Sequence, residues 1–312
     1  MKHIYVNFKR FDVPREYGGV NSLAPVAKWA GTIISQTQEA LTGYDQNQVE
    51  FAMFFPEAHL LNAAAAKSDA SPVEIGCQSV HEADTAAGGN FGAFTTGRPA
   101  AAMKAAGCTY TIIGHCEERK ALNDIFDEMT TCAQQAKNLF DSESTGQKNS
   151  DEGEGARQTN VGTDHAVQLR ACNRILNKRV KCALERGLKV LYCIGEKSEE
   201  QERWQEVLGE QLEAGLEGTD RSRVVIAYEP VWSIGPGKTP ADKDYITKIA
   251  RFVKEKTGGM DVVYGGGLKT DNAKMLASIP EIDGGLIALT RFAGDIGFYP
   301  EEYLEIVRLY LK

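Results

Sequence analysis

Apolar residues in this chain come in short runs at regular intervals. IYVNFK (4–9), VEFAMFF (49–55), VEIGCQSV (73–80), YTIIGH (110–115), KVLYCIG (189–195), RVVIAYEP (223–230), DVVYGGG (261–267) and GGLIALT (284–290) each hold a strand's length of β-branched, aliphatic and aromatic side chains. Such continuously apolar runs leave no face for water, which points to parallel strands covered on both sides. Between most of them the apolar positions recur at helical spacing, as in PVAKWAGTIISQTQEAL (25–41), RPAAAMKAAG (98–107), RILNKRVKCALERG (174–187) and DYITKIARFVKEKTG (244–258). Eight strands in repeated β–α order predict an α/β fold, a closed (β/α)8 barrel forming a single domain over 1–312, rather than an open sheet. No G-x-G-x-x-G follows the first strand, so nothing marks a dinucleotide-binding fold.

A barrel of this kind takes ~250 residues, and the chain has 312. The excess falls after the fourth strand, at 127–172. Its centre, DSESTGQKNSDEGEGARQTNVGTDH (141–165), has almost no apolar side chain to offset the entropy of ordering. It is expected to be an exposed, flexible insertion whose deletion leaves a folded protein. The flanks IFDEMTTCAQQAKNLF (125–140) and AVQLRACNRILNKRV (166–180) read as helices that dock on the barrel. A tolerated surface insertion is the plain expectation, and a cap or assembly element the alternative.

Charge and cysteine usage narrow the function classes. The formal net charge of −8 argues against nucleic acid or an anionic membrane as principal partner. No apolar stretch is long enough to span a bilayer, and MKHIYVNFKR runs directly into a strand pattern, so no signal peptide is expected. Seven cysteines without a CxxC pair read as reduced thiols in a cytoplasmic protein. Five scattered histidines, with no HExxH and no Cys/His spacing, give no metal site, and no cofactor is expected.

Chemistry in such barrels sits at the C-terminal ends of the strands. Those ends carry Asn7, Lys9, Gln78, His115, Glu117, Glu196, Glu229 and a bare Gly265-Gly266-Gly267. Each alone has an ordinary explanation. A glutamate at a strand end is usually a solvated rim residue, a lone histidine a satisfied core residue, and Lys9 has Glu117 as a plausible ion-pair partner. Glu196 reads as orienting backbone or capping a helix, and Gln78 as structural.

Taken in order, NFK (7–9), GAFTTG (92–97), IIGHCEER (112–119), CIGEK (193–197), YEPVWSIGPGKT (228–239) and YGGGLKTDN (264–272) resemble the signature segments of the triosephosphate isomerase family. The resemblance covers nearly the whole chain outside 127–172. It implies an aldose–ketose isomerase interconverting glyceraldehyde 3-phosphate and dihydroxyacetone phosphate through an enediolate, in the setting of glycolysis and gluconeogenesis. Glu229 then matches the carboxylate base, His115 the electrophile and Lys9 the cation that stabilises the enediolate, with Asn7 and Glu117 positioning them. In that family the histidine is held neutral by a helix N-terminus and loop closure excludes water. The loop 230–238 matches that lid, with Pro230-Val231-Trp232 and Gly237-Lys238-Thr239 as hinges.

The resemblance also implies a phosphate site of backbone amides, here at Gly235, Gly237, Gly266, Gly267 and Leu289, and this is where the pattern departs. Gly267 stands where a serine is usual, Ala288-Leu289 replace a Gly-Gly pair, and Pro236 replaces a common threonine. Arg291 is expected either as a charged clamp or paired with Asp295. Glu118 replaces an arginine that meets the partner subunit, which leaves a homodimer of the familiar kind in doubt. Two alternatives stay open: an isomerase of a related phosphosugar such as a tetrulose phosphate, and an inactive barrel kept as a binding module.

Overall fold

The computed structural model describes residues 1–144, 165–234 and 238–312. Most of the polar centre of the insertion, and with it the expectation of flexibility, therefore lies outside the described residues, as do Gly235, Pro236 and Gly237 of the expected lid.

Eight parallel strands close into a barrel in sequence order: β1 (Lys2–Asn7), β2 (Val49–Phe55), β3 (Val73–Gln78), β4 (Tyr110–Ile113), β5 (Lys189–Ile194), β6 (Val224–Tyr228), β7 (Val262–Tyr264) and β8 (Gly284–Ile287), with β8 pairing β1. Most stop short of the polar or glycine-rich tails of the runs that predicted them. Helices α1 (Trp29–Leu41), α2 (Leu60–Ala66) and α3 (Ala100–Ala105) connect the first four strands. Helices α4 (Cys116–Ser144) and α5 (His165–Glu185) share the next connection, and α6 (Trp204–Gly215), α7 (Lys243–Thr257), α8 (Ala273–Ala277) and α9 (Pro300–Tyr310) follow the later strands.

Local chemistry sets several helix ends. Asp242 caps α7 by accepting the Tyr245 amide at 2.8 Å, and Gly258 closes it at φ 76°. Proline at the start of α9 has no amide to leave unpaired. The first flank of the insertion is not a separate helix: α4 runs through it from Cys116 to Ser144. Leu122 and Phe126 pack against the core, while Ile125, Met129 and, on α5, Val167 are exposed. The barrel-proximal turns of α4 and α5 from about Cys172 onward supply the buried part of this docking, while His165 and Arg170 at the start of α5 pair with Glu200 and Glu210.

The two-residue period of the strands explains the continuous apolar runs. One parity packs under the helices, as with Ile4, Val6, Ile226 and Tyr228. The other fills the barrel, where Tyr5, Phe54, Tyr110, Leu191, Ala227, Val263 and Leu286 form a second, inner core. The inner parity reaches both ends of the strands and continues past the end of β6. At the N-terminal end it delivers His3, Glu50, Tyr110 and Lys189, and at the C-terminal end Asn7 and Glu229.

The N-terminal end is plugged by a polar network. Glu50 accepts hydrogen bonds from Tyr5 Oη at 2.9 Å, from Tyr110 Oη and from Lys189 Nζ. His3 lies between two carboxylates, Nδ1 at 3.1 Å from Glu50 and Nε2 at 2.8 Å from Asp261. Burial works against a charged imidazole, but the hydrogen bonds and charges of Asp261 and Glu50 outweigh it and raise the His3 pKa above its ordinary 6.5. A raised folded-state value means that this contribution to stability is fully present below about pH 6.5 and is lost as pH rises through the folded pKa. His3→Gln is therefore expected to lower the melting temperature most near pH 6 and progressively less toward about pH 9, checked by thermal melts of both proteins across that range. A deficit that grows with pH would contradict this account.

Candidate active site

The site forms where β4, β6 and the first residues beyond β1 meet at the C-terminal rim. Cys116 begins α4, and the first amides of a helix have no partner within it. Two site residues supply the acceptors. The Cys116 amide donates to Glu229 Oε2 at 3.0 Å, and the Glu117 amide donates to Nδ1 of His115 at 3.3 Å. Glu118 reaches back to accept the Gly114 amide at 2.6 Å, completing the helix start.

Because Nδ1 of His115 accepts from backbone, its proton is assigned to Nε2. Nε2 lies 3.1 Å from Glu229 Oε1. Both side chains are buried, Glu229 at 2% exposure and His115 at 8%. Glu229 also explains the bare glycine after β7: a Cβ on Gly265 would stand 2.6 Å from Glu229 Cγ and 2.8 Å from the Tyr228 carbonyl oxygen. The thiol of Cys116, beside this pair, is pushed up to about 12 by burial and by the charge of Glu229, so it is a neutral neighbour and no nucleophile.

Lys9 enters from the loop after β1 with φ 42°, a left-handed conformation strained for a side chain of this kind. Its backbone is held from two sides. Asn7 Oδ1 accepts the Lys9 amide at 3.1 Å, and Gln78 Nε2 donates to the Lys9 carbonyl at 3.0 Å and to Asn7 Oδ1 at 3.2 Å. Nζ of Lys9 donates to Glu117 at 2.8 Å. Burial lowers the Lys9 pKa, but this bond outweighs it and leaves the ammonium above its usual range; the same bond holds the Glu117 carboxyl below its own, against a desolvation that would raise it.

Two cavities meet at these residues. One, of about 720 Å³, is lined by Asn7, Lys9, His115 and Glu229 together with Gly266, Gly267, Ala288 and Leu289. The other, of about 650 Å³, shares Asn7, Lys9 and His115 and adds Glu117, Glu118 and Arg179. Glu117 thus reaches the site through Lys9 and lines only the second cavity. Of the expected residues, Asn7, Lys9, His115, Glu229, Gly266, Gly267 and Leu289 share one cavity; Gly235 and Gly237 lie outside the described residues.

Arg291 is the clearest correction. It lines neither of these two cavities and is not a partner of Asp295. Its guanidinium pairs with Glu302 near the start of α9, with Nε at 2.8 Å, and stacks 3.8 Å from the Tyr299 ring centroid, while Asp295 pairs with Arg15. Sequence spacing hid this, because a turn bridging Arg291 and Gly297 brings α9 under the arginine. Glu118, which stands where the family has an arginine that meets the partner subunit, is engaged within its own chain by Ser79 and Arg179. Glu196 holds side chains rather than a helix end. Fully buried, its Oε1 accepts from Trp232 Nε1 at 2.8 Å, Tyr228 Oη at 2.9 Å and Tyr245 Oη at 3.0 Å, fastening the start of the loop 230–238. Sequence reasoning overlooked Lys238 and Lys269, which line the larger cavity; the position of Lys269 two residues past the glycine turn was the available signal.

The described fold agrees with comparison to known proteins. The family model "Triosephosphate isomerase" matches residues 27–143 and 165–300. The chain belongs to the triosephosphate isomerase family. The triosephosphate isomerase of Parasynechococcus marenigrum is 30% identical over 74% of this chain and 75% of its own, and that of Prosthecochloris aestuarii is 28% identical over 92% of each. The crystal structure of triosephosphate isomerase from Bartonella henselae shares the fold with a TM-score of 0.63, at 21% identity, over 100% of this chain and 99% of that one. The family model matches residues on both sides of the undescribed 145–164, including most of α4 and the start of α5, so the excess over the family is narrower than the 127–172 expected.

Burial raises the Glu196 pKa against the three hydrogen bonds that lower it, so this carboxyl is held in place by donors rather than by a cation. Glu196→Leu leaves one buried and two partly buried donors without their acceptor and is expected to destabilise by about 2 kcal/mol or more. Glu196→Gln keeps the accepting oxygen and should stay within about 1 kcal/mol. Urea unfolding of the two variants tests this; equal losses would mean that packing, not the donors, sets the role of Glu196.

Proposed function

We propose that this enzyme interconverts glyceraldehyde 3-phosphate and dihydroxyacetone phosphate, with Glu229 as base, His115 as electrophile and proton carrier, and Lys9 as electrostatic stabiliser. The observation that carries the reading is the 3.1 Å approach of His115 Nε2 to Glu229 Oε1 in a cavity that Lys9 also lines. Isomerisation of a hydroxy-carbonyl compound needs a base at carbon, a proton donor at oxygen and a positive field on the enediolate.

In the free enzyme the base is parked. Glu229 holds the Nε2–H of His115 and the Cys116 amide, so a substrate carbonyl that takes over the Nε2–H releases one carboxylate oxygen toward the substrate carbon. Glu229 then removes the proton from the carbon next to the carbonyl, and the electron pair moves onto the carbonyl oxygen. That oxygen takes the Nε2 proton, the neighbouring hydroxyl returns a proton to the imidazole, and Glu229 delivers its own to the adjacent carbon. No proton is gained or lost overall. The charge of Lys9 favours the enediolate over the neutral substrate, so its effect falls on the barrier rather than on binding. Near-complete burial of Glu229 keeps water from solvating the base.

The retained base, imidazole and amine favour an isomerase over a barrel kept only for binding, which needs no such triplet. The purified protein is expected to interconvert the two triose phosphates without added metal. Glu229→Asp withdraws the carboxylate by about one bond length and should lower kcat about a hundredfold or more with the fold intact by circular dichroism. Turnover confined to a tetrulose phosphate would reassign the substrate. If no solvent deuterium enters any phosphoketose, the isomerase reading fails.

A further inference from the structure

We propose that Lys269 anchors the anionic end of the ligand in the larger cavity, supplying from a side chain a charge that backbone amides alone do not. The identity of that ligand as a triose phosphate rests on the function proposed above; the anion site itself does not.

The chain is acidic overall, and most cations near the rim are already neutralised: Lys9 by Glu117, Arg10 by Asp12, Arg15 by Asp295 and Arg291 by Glu302. Among the described residues, Lys238 and Lys269 have no carboxylate partner, and both line the 720 Å³ cavity. One exposed acid, Asp271, lines the same rim, so the balance of this wall is positive.

Position separates the two lysines. Lys238 is solvent-exposed, whereas Lys269 is half-buried on a fixed turn. Its amide donates to Asn272 Oδ1 at 2.8 Å, and Asn272 Nδ2 donates to the Gly267 carbonyl at 2.9 Å. This clamp ties Lys269 to Gly267, whose φ of 97° turns the chain at the cavity wall. Among the described residues, the amides of Gly266, Gly267, Ala288 and Leu289 donate to no protein acceptor. Unpaired amides grouped at a turn suit an anion, and a nearby ammonium adds the net charge they lack.

The Lys269 ammonium rests 4.1 Å from the centroid of the Phe292 ring, which is half exposed. A cation over an exposed ring is held more weakly than one hydrogen-bonded to a phosphate dianion, so an entering phosphate can draw it off. With Arg291 committed to Glu302, Lys269 is the clamped cation lining the cavity that Glu229 also lines.

Inorganic phosphate is the probe. Its Kd by calorimetry, and KM for dihydroxyacetone phosphate, are each expected to rise about tenfold in Lys269→Gln and Lys269→Ala (about 1.4 kcal/mol), with kcat changed less than about threefold. Lys269→Arg, which keeps the charge and serves as the folding control, should recover most of the affinity. An unchanged phosphate Kd in both neutral variants overturns the proposal, as does a loss carried by kcat alone. Lys269-dependent phosphate binding in a wild-type protein with no turnover would sink the isomerase reading and keep this site. Normal turnover with phosphate binding that ignores Lys269 would do the reverse.

Discussion

The start of α4 is the constraint on which the site depends. A helix presents unpaired amides at its first turn, and here they are satisfied by groups proposed to react rather than by a conventional cap. The Cys116 amide fixes the resting place of the Glu229 carboxylate, at the positive end of the helix where a negative charge is favoured. The Glu117 amide, pointing at Nδ1 of His115, decides which imidazole nitrogen carries the proton. One local requirement of secondary structure thus sets both the position of the base and the tautomer of the electrophile. A side chain at Gly265 would disturb it from the neighbouring strand, β7, which is why that strand is followed by a residue without one.

The period of two carries the remaining residues to this point. Asn7 shares its parity with Tyr5, and Glu229 with Ala227, so each is an inward residue that has run out of barrel. That is also why so much was readable from sequence. Parallel strands buried on both faces announce themselves as uninterrupted apolar runs, and the polar residue ending such a run lies at the rim by geometry. The clusters at Asn7–Lys9, His115–Glu117 and Glu229 were legible for this reason, as was Gly265–Gly267.

What stayed hidden depends on contacts that no run or period encodes. The partnership of Arg291 with Glu302 requires the turn after β8 to double back, and Asp295, four residues away, looked equally suitable until Arg15 claimed it. Glu196 ends an apolar run as Glu229 does, yet its neighbours are three hydrogen-bond donors from β6, the loop after it and α7, and it faces them instead of the cavity. The same strand-end position therefore yields either a base or an anchor. Only the side on which the donors lie distinguishes them, and that is tertiary information. The length of α4 was missed for a different reason: its outer turns carry no continuous apolar face, so its pattern fades before the helix ends.

The two ends of the barrel divide the work. At the rim, Lys9 is held at φ 42°, a conformation costing about 1–3 kcal/mol that persists only where surrounding bonds over-determine it. Asn7 and Gln78 provide those bonds, and in return the Lys9 ammonium stands between two cavities, beside His115. At the opposite end, inward positions of the same strands carry Glu50 and His3, whose bonds reach across the barrel to β4, β5 and the entrance of β7 without strain of this sort. Charges there meet charged partners within the protein, while at the rim, among the described residues, Lys238 and Lys269 meet no carboxylate. The left-handed Lys9 and the two lysines without a carboxylate partner thus line one cavity, where a ligand would meet them.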